Sequence, residues 1–156
     1  MIVRPAREAD VPGILALAAQ VEHRFGPLTE DPGFRAAIDR HLCRSTALLA
    51  TAPGRPHPLG GLLFSAKEDA TYHVRWLVVA EDARGRGVGR ALMTDAVRRF
   101  VRGPGTIEAV TFGADHPGAV VGGARAFYER LGFTPAEPAD PGPEGGSRQV
   151  FRRAVA

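Results

Sequence analysis

The residues best placed to do chemistry in this 156-residue chain are Arg84, Gly85, Arg86, Gly87, Val88, Gly89 and Arg90. An apolar run, 76–80, precedes them, and a helical pattern, 88–101, follows. Strand, glycine turn and helix together aim backbone N–H groups at one point. The first turn of a helix has unpaired N–H groups and carries the positive end of the helix dipole. Glycines let a ligand approach the backbone without a Cβ in the way. The three arginines add positive charge, so the natural guest is a phosphate or pyrophosphate.

Two familiar phosphate sites do not fit. A P-loop needs Gly-Lys-Ser/Thr at the turn, and the one lysine of this chain is Lys67. The dinucleotide fingerprint needs Gly-x-Gly-x-x-Gly, whereas this turn reads Gly-x-Gly-x-Gly.

Length and composition set the frame. A chain of this length is expected to form one domain, residues 1–156, burying about 70% of its unfolded surface. No run of about 18 apolar residues suggests a membrane span, and no secretory leader is visible at the N-terminus. One cysteine, Cys43, excludes an internal disulfide framework and suits a cytoplasmic protein. A net charge of +3 suits an anionic cofactor but is too mild to argue for nucleic acid. No His, Cys or carboxylate cluster has metal-ligand spacing, so no metal is expected.

The elements that must position the turn follow from pattern. A short strand at 2–6 leads to a helix that Asp10 could cap, with Ile14, Leu17 and Val21 on one face. Asp31-Pro32 opens a second helix. Strands are expected at 46–51, 59–66 and 72–79, the last entering the glycine turn. Strict alternation on that strand places Tyr72, Val74 and Trp76 on one face and His73, Arg75 and Leu77 on the other. The helix after the turn carries Val88, Leu92, Ala96 and Phe100 on one side, with Asp95 and Arg99 paired at i,i+4. A strand at 107–112, a loop at 113–123, a helix at 124–131 stopped by Gly132, a strand from Phe133, a Pro/Gly-rich loop at 135–146 and a closing strand at 149–155 complete the chain.

The turn matches Arg/Gln-x-x-Gly-x-Gly/Ala at Arg84, Gly87 and Gly89. A second block follows, Ala124-Arg125-Ala126-Phe127-Tyr128-Glu129-Arg130-Leu131-Gly132-Phe133. Both blocks, in this order, resemble the GNAT N-acetyltransferase superfamily. The element order is that of its α/β (α+β) fold: a mixed, mostly antiparallel sheet of six or seven strands flanked by about four helices. Residues 71–133 match in motif, and the first half matches in element order alone.

The resemblance implies acetyl transfer from acetyl-CoA to a primary amine, directly, in a ternary complex. The strand before the turn, Leu77, Val78 and Val79, would carry pantetheine on its free edge. Arg84, Gly85, Arg86, Gly87, Val88, Gly89 and Arg90 would hold the pyrophosphate. Tyr128 falls where the family's tyrosine stands near the sulfur, as general acid. His73 sits at the position of a glutamate base in the histone-modifying branch, and imidazole titrates near the useful range, at about 6.5. Glu22, Asp115 and His116 compete for that role. His23, His41 and His57 have no such context. The family often has Asn where this chain has Val121. The connection at 22–33 and the loop at 135–146 would wall the amine site. A monomer or homodimer is expected, with acyl-CoA and an amine as partners. The rival readings are a non-catalytic acyl-CoA-binding regulatory domain and an acyltransferase using another donor.

Overall fold

The computed structural model describes residues 1–22, 27–67, 69–117, 123–142 and 145–156. His23, Glu68 and Val121 lie outside the described residues. Strands β1 (Ile2–Pro5), β2 (Ala47–Thr51), β3 (Gly60–Lys67), β4 (Thr71–Val79), β5 (Gly105–Phe112), β6 (Thr134–Ala139) and β7 (Arg148–Val155) form one seven-stranded sheet. Its order is β1-β2-β3-β4-β5-β7-β6, and every pairing is antiparallel except β4 with β5. Helices α1 (Val11–Ala19), α2 (Pro32–Arg44), α3 (Val88–Phe100) and α4 (Ala124–Arg130) flank it. The α/β class, the mixed sheet and the element order are as the sequence implies.

Local signals account for most boundaries. The Asp31 carboxylate accepts a hydrogen bond from the Gly33 N–H and caps α2, whose first residue is Pro32. Asp10 departs from expectation. Its carboxylate pairs with Arg4 and accepts from the Arg7 N–H instead of capping α1. In α3 the Asp95 carboxylate takes Arg99, as expected, and also Arg98. Gly132 takes a left-handed φ of +89° after α4. The Pro-rich stretch after Phe133 is not all loop. Its first half is edge strand β6, where proline costs no shared ladder bond on the open side.

The core fills both faces of the sheet. On one, Phe64 stacks between Tyr72 and Phe100, at ring-centroid separations of 6.0 and 5.7 Å, and α3 covers strands β1–β4. On the other, Trp76 packs on Phe34 of α2 at 5.6 Å. A Cβ at Gly61 would stand 2.9 Å from Trp76 Cζ3, so the missing side chain there seats the indole.

Strict alternation fails on β4 because of a bulge. Phe64 of β3 pairs with Val74 and Leu63 with Trp76, leaving Arg75 as the extra residue. Past Arg75 the faces exchange. Trp76 and Val78 therefore share the face of His73, and Leu77 and Val79 join Tyr72 and Val74.

One buried and one half-buried histidine make stability pH-dependent. Burial, aided by nearby arginines, holds His41 and His73 below the ordinary imidazole value. Between the lowered native value and about 6.5 the unfolded chain binds more protons than the native one. Their contribution is thus full above about pH 6.5 and is lost as the pH falls below it. Urea midpoints measured from pH 7.5 to 5 should fall on the acid side, and His41→Asn should flatten that slope.

Candidate active site

β4 and β5 share four parallel residue pairs, from Thr71–Thr106 to Val74–Ala109, and then part. Beyond the fork, 75–79 stays on β3 and 110–112 stays on β7. Among the described residues, the facing backbone edges past the fork have no strand partner. A cleft of about 880 Å³ opens there, running from the glycine turn to the α1–α2 connection and the β6–β7 loop. Leu77, Val78 and Val79 line it.

The glycine turn closes one end. Gly85 and Gly87 have φ of +76° and +78°, the left-handed region that glycine enters without strain. Gly87 is the N-cap of α3, and no side chain caps that first turn. Its N–H groups are therefore left for a ligand. The 3₁₀ turn at Glu81–Ala83 leads in, held where Arg55 pairs with Asp82 at 2.7 Å. Arg84, Gly85, Gly87, Val88, Gly89 and Arg90 line the cleft, whereas Arg86 is exposed outside the lining. Among the described residues, Arg84, Arg86 and Arg90 form no ion pair with a carboxylate. The turn therefore combines open N–H groups with positive charge, of which Arg86 also acts on the Asp82 carboxylate while Arg84 and Arg90 are uncommitted among the described residues. Gly89 does a second job. A Cβ there would stand 2.7 Å from the Phe127 ring, so this glycine lets α4 close on α3.

Tyr128 lies over the fork on α4. Its ring packs on Phe127, Phe133 and Phe151 at 5.2, 5.3 and 6.2 Å. It is buried yet borders the cleft. Burial alone pushes its hydroxyl above the usual phenol value, so it keeps its proton.

His73 is not brought to the cleft. The bulge and the fork separate them. His73 faces a second hollow with Lys67, Asp69, Thr71 and Glu108. Its Nδ1 stands 3.6 Å from Glu108 Oε1, and its buried Nε2 has no partner. Glu108 is also bound by Arg152. The competing bases are engaged elsewhere too. Glu22 accepts from the Leu28 N–H and the Thr29 hydroxyl, tying the connection after α1. Asp115 accepts from the Ser147 hydroxyl, and His116 stacks on Phe112 at 4.1 Å.

The cleft also holds residues that pattern reading missed. Arg75, Arg130 and Arg148 line it, with Asp140 the one carboxylate in the lining among the described residues. Arg75 Nε donates to Ser65 Oγ at 2.9 Å, and the Arg148 guanidinium sits 4.8 Å over the Phe112 ring. Trp76 and Thr111 line the same space, and their Nε1 and Oγ1 are buried polar atoms without partners among the described residues. Thr111 had a signal: it is the polar member of an otherwise apolar alternation with Ile107 and Ala109.

No helix among the described residues is long and apolar enough to cross a membrane. No curated protein matches the chain by sequence. Among solved structures, the chain superposes on a ribosomal-protein-alanine N-acetyltransferase from Brucella melitensis with a TM-score of 0.71. Identity is 19%, over 99% of this chain and 100% of that one. Ard1 from Thermoplasma volcanium gives a TM-score of 0.76 at 19% identity, covering 99% and 97%. N-acetylglutamate synthase from Neisseria gonorrhoeae, complexed with coenzyme A and N-acetyl-glutamate, gives 0.70 at 19%. That match covers 99% of this chain and 35% of the synthase. At such identities these likenesses speak for the fold. The model of the acetyltransferase (GNAT) domain matches residues 45–135, more than half of the chain and both blocks of the cleft. The chain belongs to the GNAT family of acetyltransferases, and is an acyltransferase.

Proposed function

We propose that residues 1–156 act as one N-acetyltransferase domain, moving an acetyl group from acetyl-CoA to a primary amine by direct transfer in a ternary complex. The observation that carries this reading is the fork: an unpaired edge of β4 that runs straight into an uncapped helix N-terminus ringed by arginines. The 75–79 edge would hydrogen-bond the pantetheine amides as an added strand does. The N–H groups at 85–89 would hold the pyrophosphate. When bound, acetyl-CoA supplies an activated acyl group as a thioester. Tyr128 holds a proton beside the fork and would give it to the departing thiolate. Cys43 is exposed on α2 and outside the cleft lining, which supports direct transfer over an acyl-cysteine route.

The amine must lose a proton, and among the described residues no buried carboxylate or histidine lines the cleft to take it. Arg75, Arg84, Arg90, Arg130 and Arg148 give the lining an excess of positive charge. Like charge disfavours an ammonium and lowers its pKa. More of the acceptor is then neutral at a given pH, and water suffices to carry the proton away.

The test is thiol release from acetyl-CoA across a panel of amino acids, polyamines and peptides, with mass spectrometry of the acceptors. Thiol release matched by an acetylated amine is the expected result. Acetyl-CoA binding with no acetylated amine anywhere in the panel would leave the regulatory-domain reading standing instead.

A further inference from the structure

Thr111 is 2% exposed, and its hydroxyl has no hydrogen-bond partner among the described residues. A buried polar group of this kind is normally paired. Thr111 also sits at a particular place. The last shared pair of the fork is Val74–Ala109, so Thr111 is the first residue past the fork on the Ala109 face of β5. Ala109 pairs with Phe151, and the Phe151 ring lies 6.2 Å from that of Tyr128. Thr111 and the proposed acid therefore share one face, at the narrow end of the cleft they both line. Its neighbours on that face do not quench the hydroxyl: Gln149, opposite it on β7, accepts from Arg125 and donates to Ala136 O.

We propose that the Thr111 hydroxyl binds the acceptor amine and turns its lone pair toward the thioester carbonyl. The inference rests on the acetyltransferase reading above. An amine offers N–H donors, and the threonine oxygen is an unused, buried acceptor on a residue that lines the cleft, which an entering amine would reach as the fork admits it. In the transfer an N–C bond forms as the C–S bond breaks. The sulfur receives the Tyr128 proton, the amine's surplus proton leaves to water, and water returns a proton to the Tyr128 phenolate. Thr111 changes no bond. It fixes the angle of attack, which is where misorientation is costly.

Thr111→Val keeps the shape and removes the hydroxyl, and Thr111→Ser keeps the hydroxyl. With an acceptor that the wild type acetylates, Thr111→Val should lower kcat/KM roughly 10–100-fold, while acetyl-CoA affinity stays constant. Its melting temperature should rise, because an unpartnered buried hydroxyl is gone. Thr111→Ser should keep most of the activity. A purely structural hydroxyl would not separate stability from turnover in this way. Thr111→Val with wild-type kcat/KM overturns the proposal alone. Loss of acetyl-CoA affinity in Thr111→Val overturns it as well, assigning the hydroxyl to the cofactor. A wild type that binds acetyl-CoA yet acetylates no amine removes the functional reading and this inference with it.

Discussion

Gly87→Val should abolish the thermal stabilisation that acetyl-CoA confers on the wild-type protein. Gly87 has φ of +78°, and nothing lies within 4 Å of where its Cβ would be. A valine there would place its methyl groups in the open space where the α3 N–H groups point. The left-handed backbone would also cost roughly 1–2 kcal/mol for a residue bearing a Cβ. Strain and occlusion can be told apart with Gly103→Val. Gly103 has φ of +96° and equally open surroundings, but lies after α3 and away from the cleft. That variant should lose stability while keeping the full acetyl-CoA shift. An unchanged acetyl-CoA affinity in Gly87→Val would remove the pyrophosphate from this turn.

The second large effect belongs to Tyr128→Phe. The substitution removes one hydroxyl from a ring held among Phe127, Phe133 and Phe151, so packing is preserved. If this hydroxyl protonates the leaving thiolate, turnover should fall roughly 10²–10⁴-fold with acetyl-CoA affinity nearly constant. Burial keeps the hydroxyl protonated through the neutral and mildly alkaline range. The rise of rate with pH should accordingly follow the acceptor amine and not the enzyme's phenol. Steady-state kinetics on one verified acceptor decide the matter. Wild-type kcat in Tyr128→Phe would make the residue a core aromatic and nothing more.

Local chemistry was legible before the fold was known. The glycine turn, the capped start of α2, the Gly132 stop and the position of Tyr128 each depend on neighbours a few residues apart. What pattern reading missed depends on pairing between strands. The bulge at Arg75 exists only because Leu63 and Phe64 choose Trp76 and Val74, and nothing in 72–79 announces it. It moves Trp76 across the sheet, and with the fork it leaves His73 beside Glu108 rather than in the cleft. The hidden strand β6 has the same origin. Its prolines read as loop until β7 supplies the partner that makes them an edge. Thr111 could have been singled out from its alternation with Ile107 and Ala109. Its lack of a partner could not, because that is a property of everything packed around it.

The fork has a mechanical side. Four strands, β1–β4, lie to one side of it and three, β5, β7 and β6, to the other, and four residue pairs stitch the two panels together. So short a seam leaves the second half of both β4 and β5 without a shared ladder, and segments with few backbone bonds open readily. An extended ligand lying along 75–79 would lengthen the stitching from within. Holding the panels together and holding the ligand are then one equilibrium, so tighter binding and a stiffer sheet come as a single change.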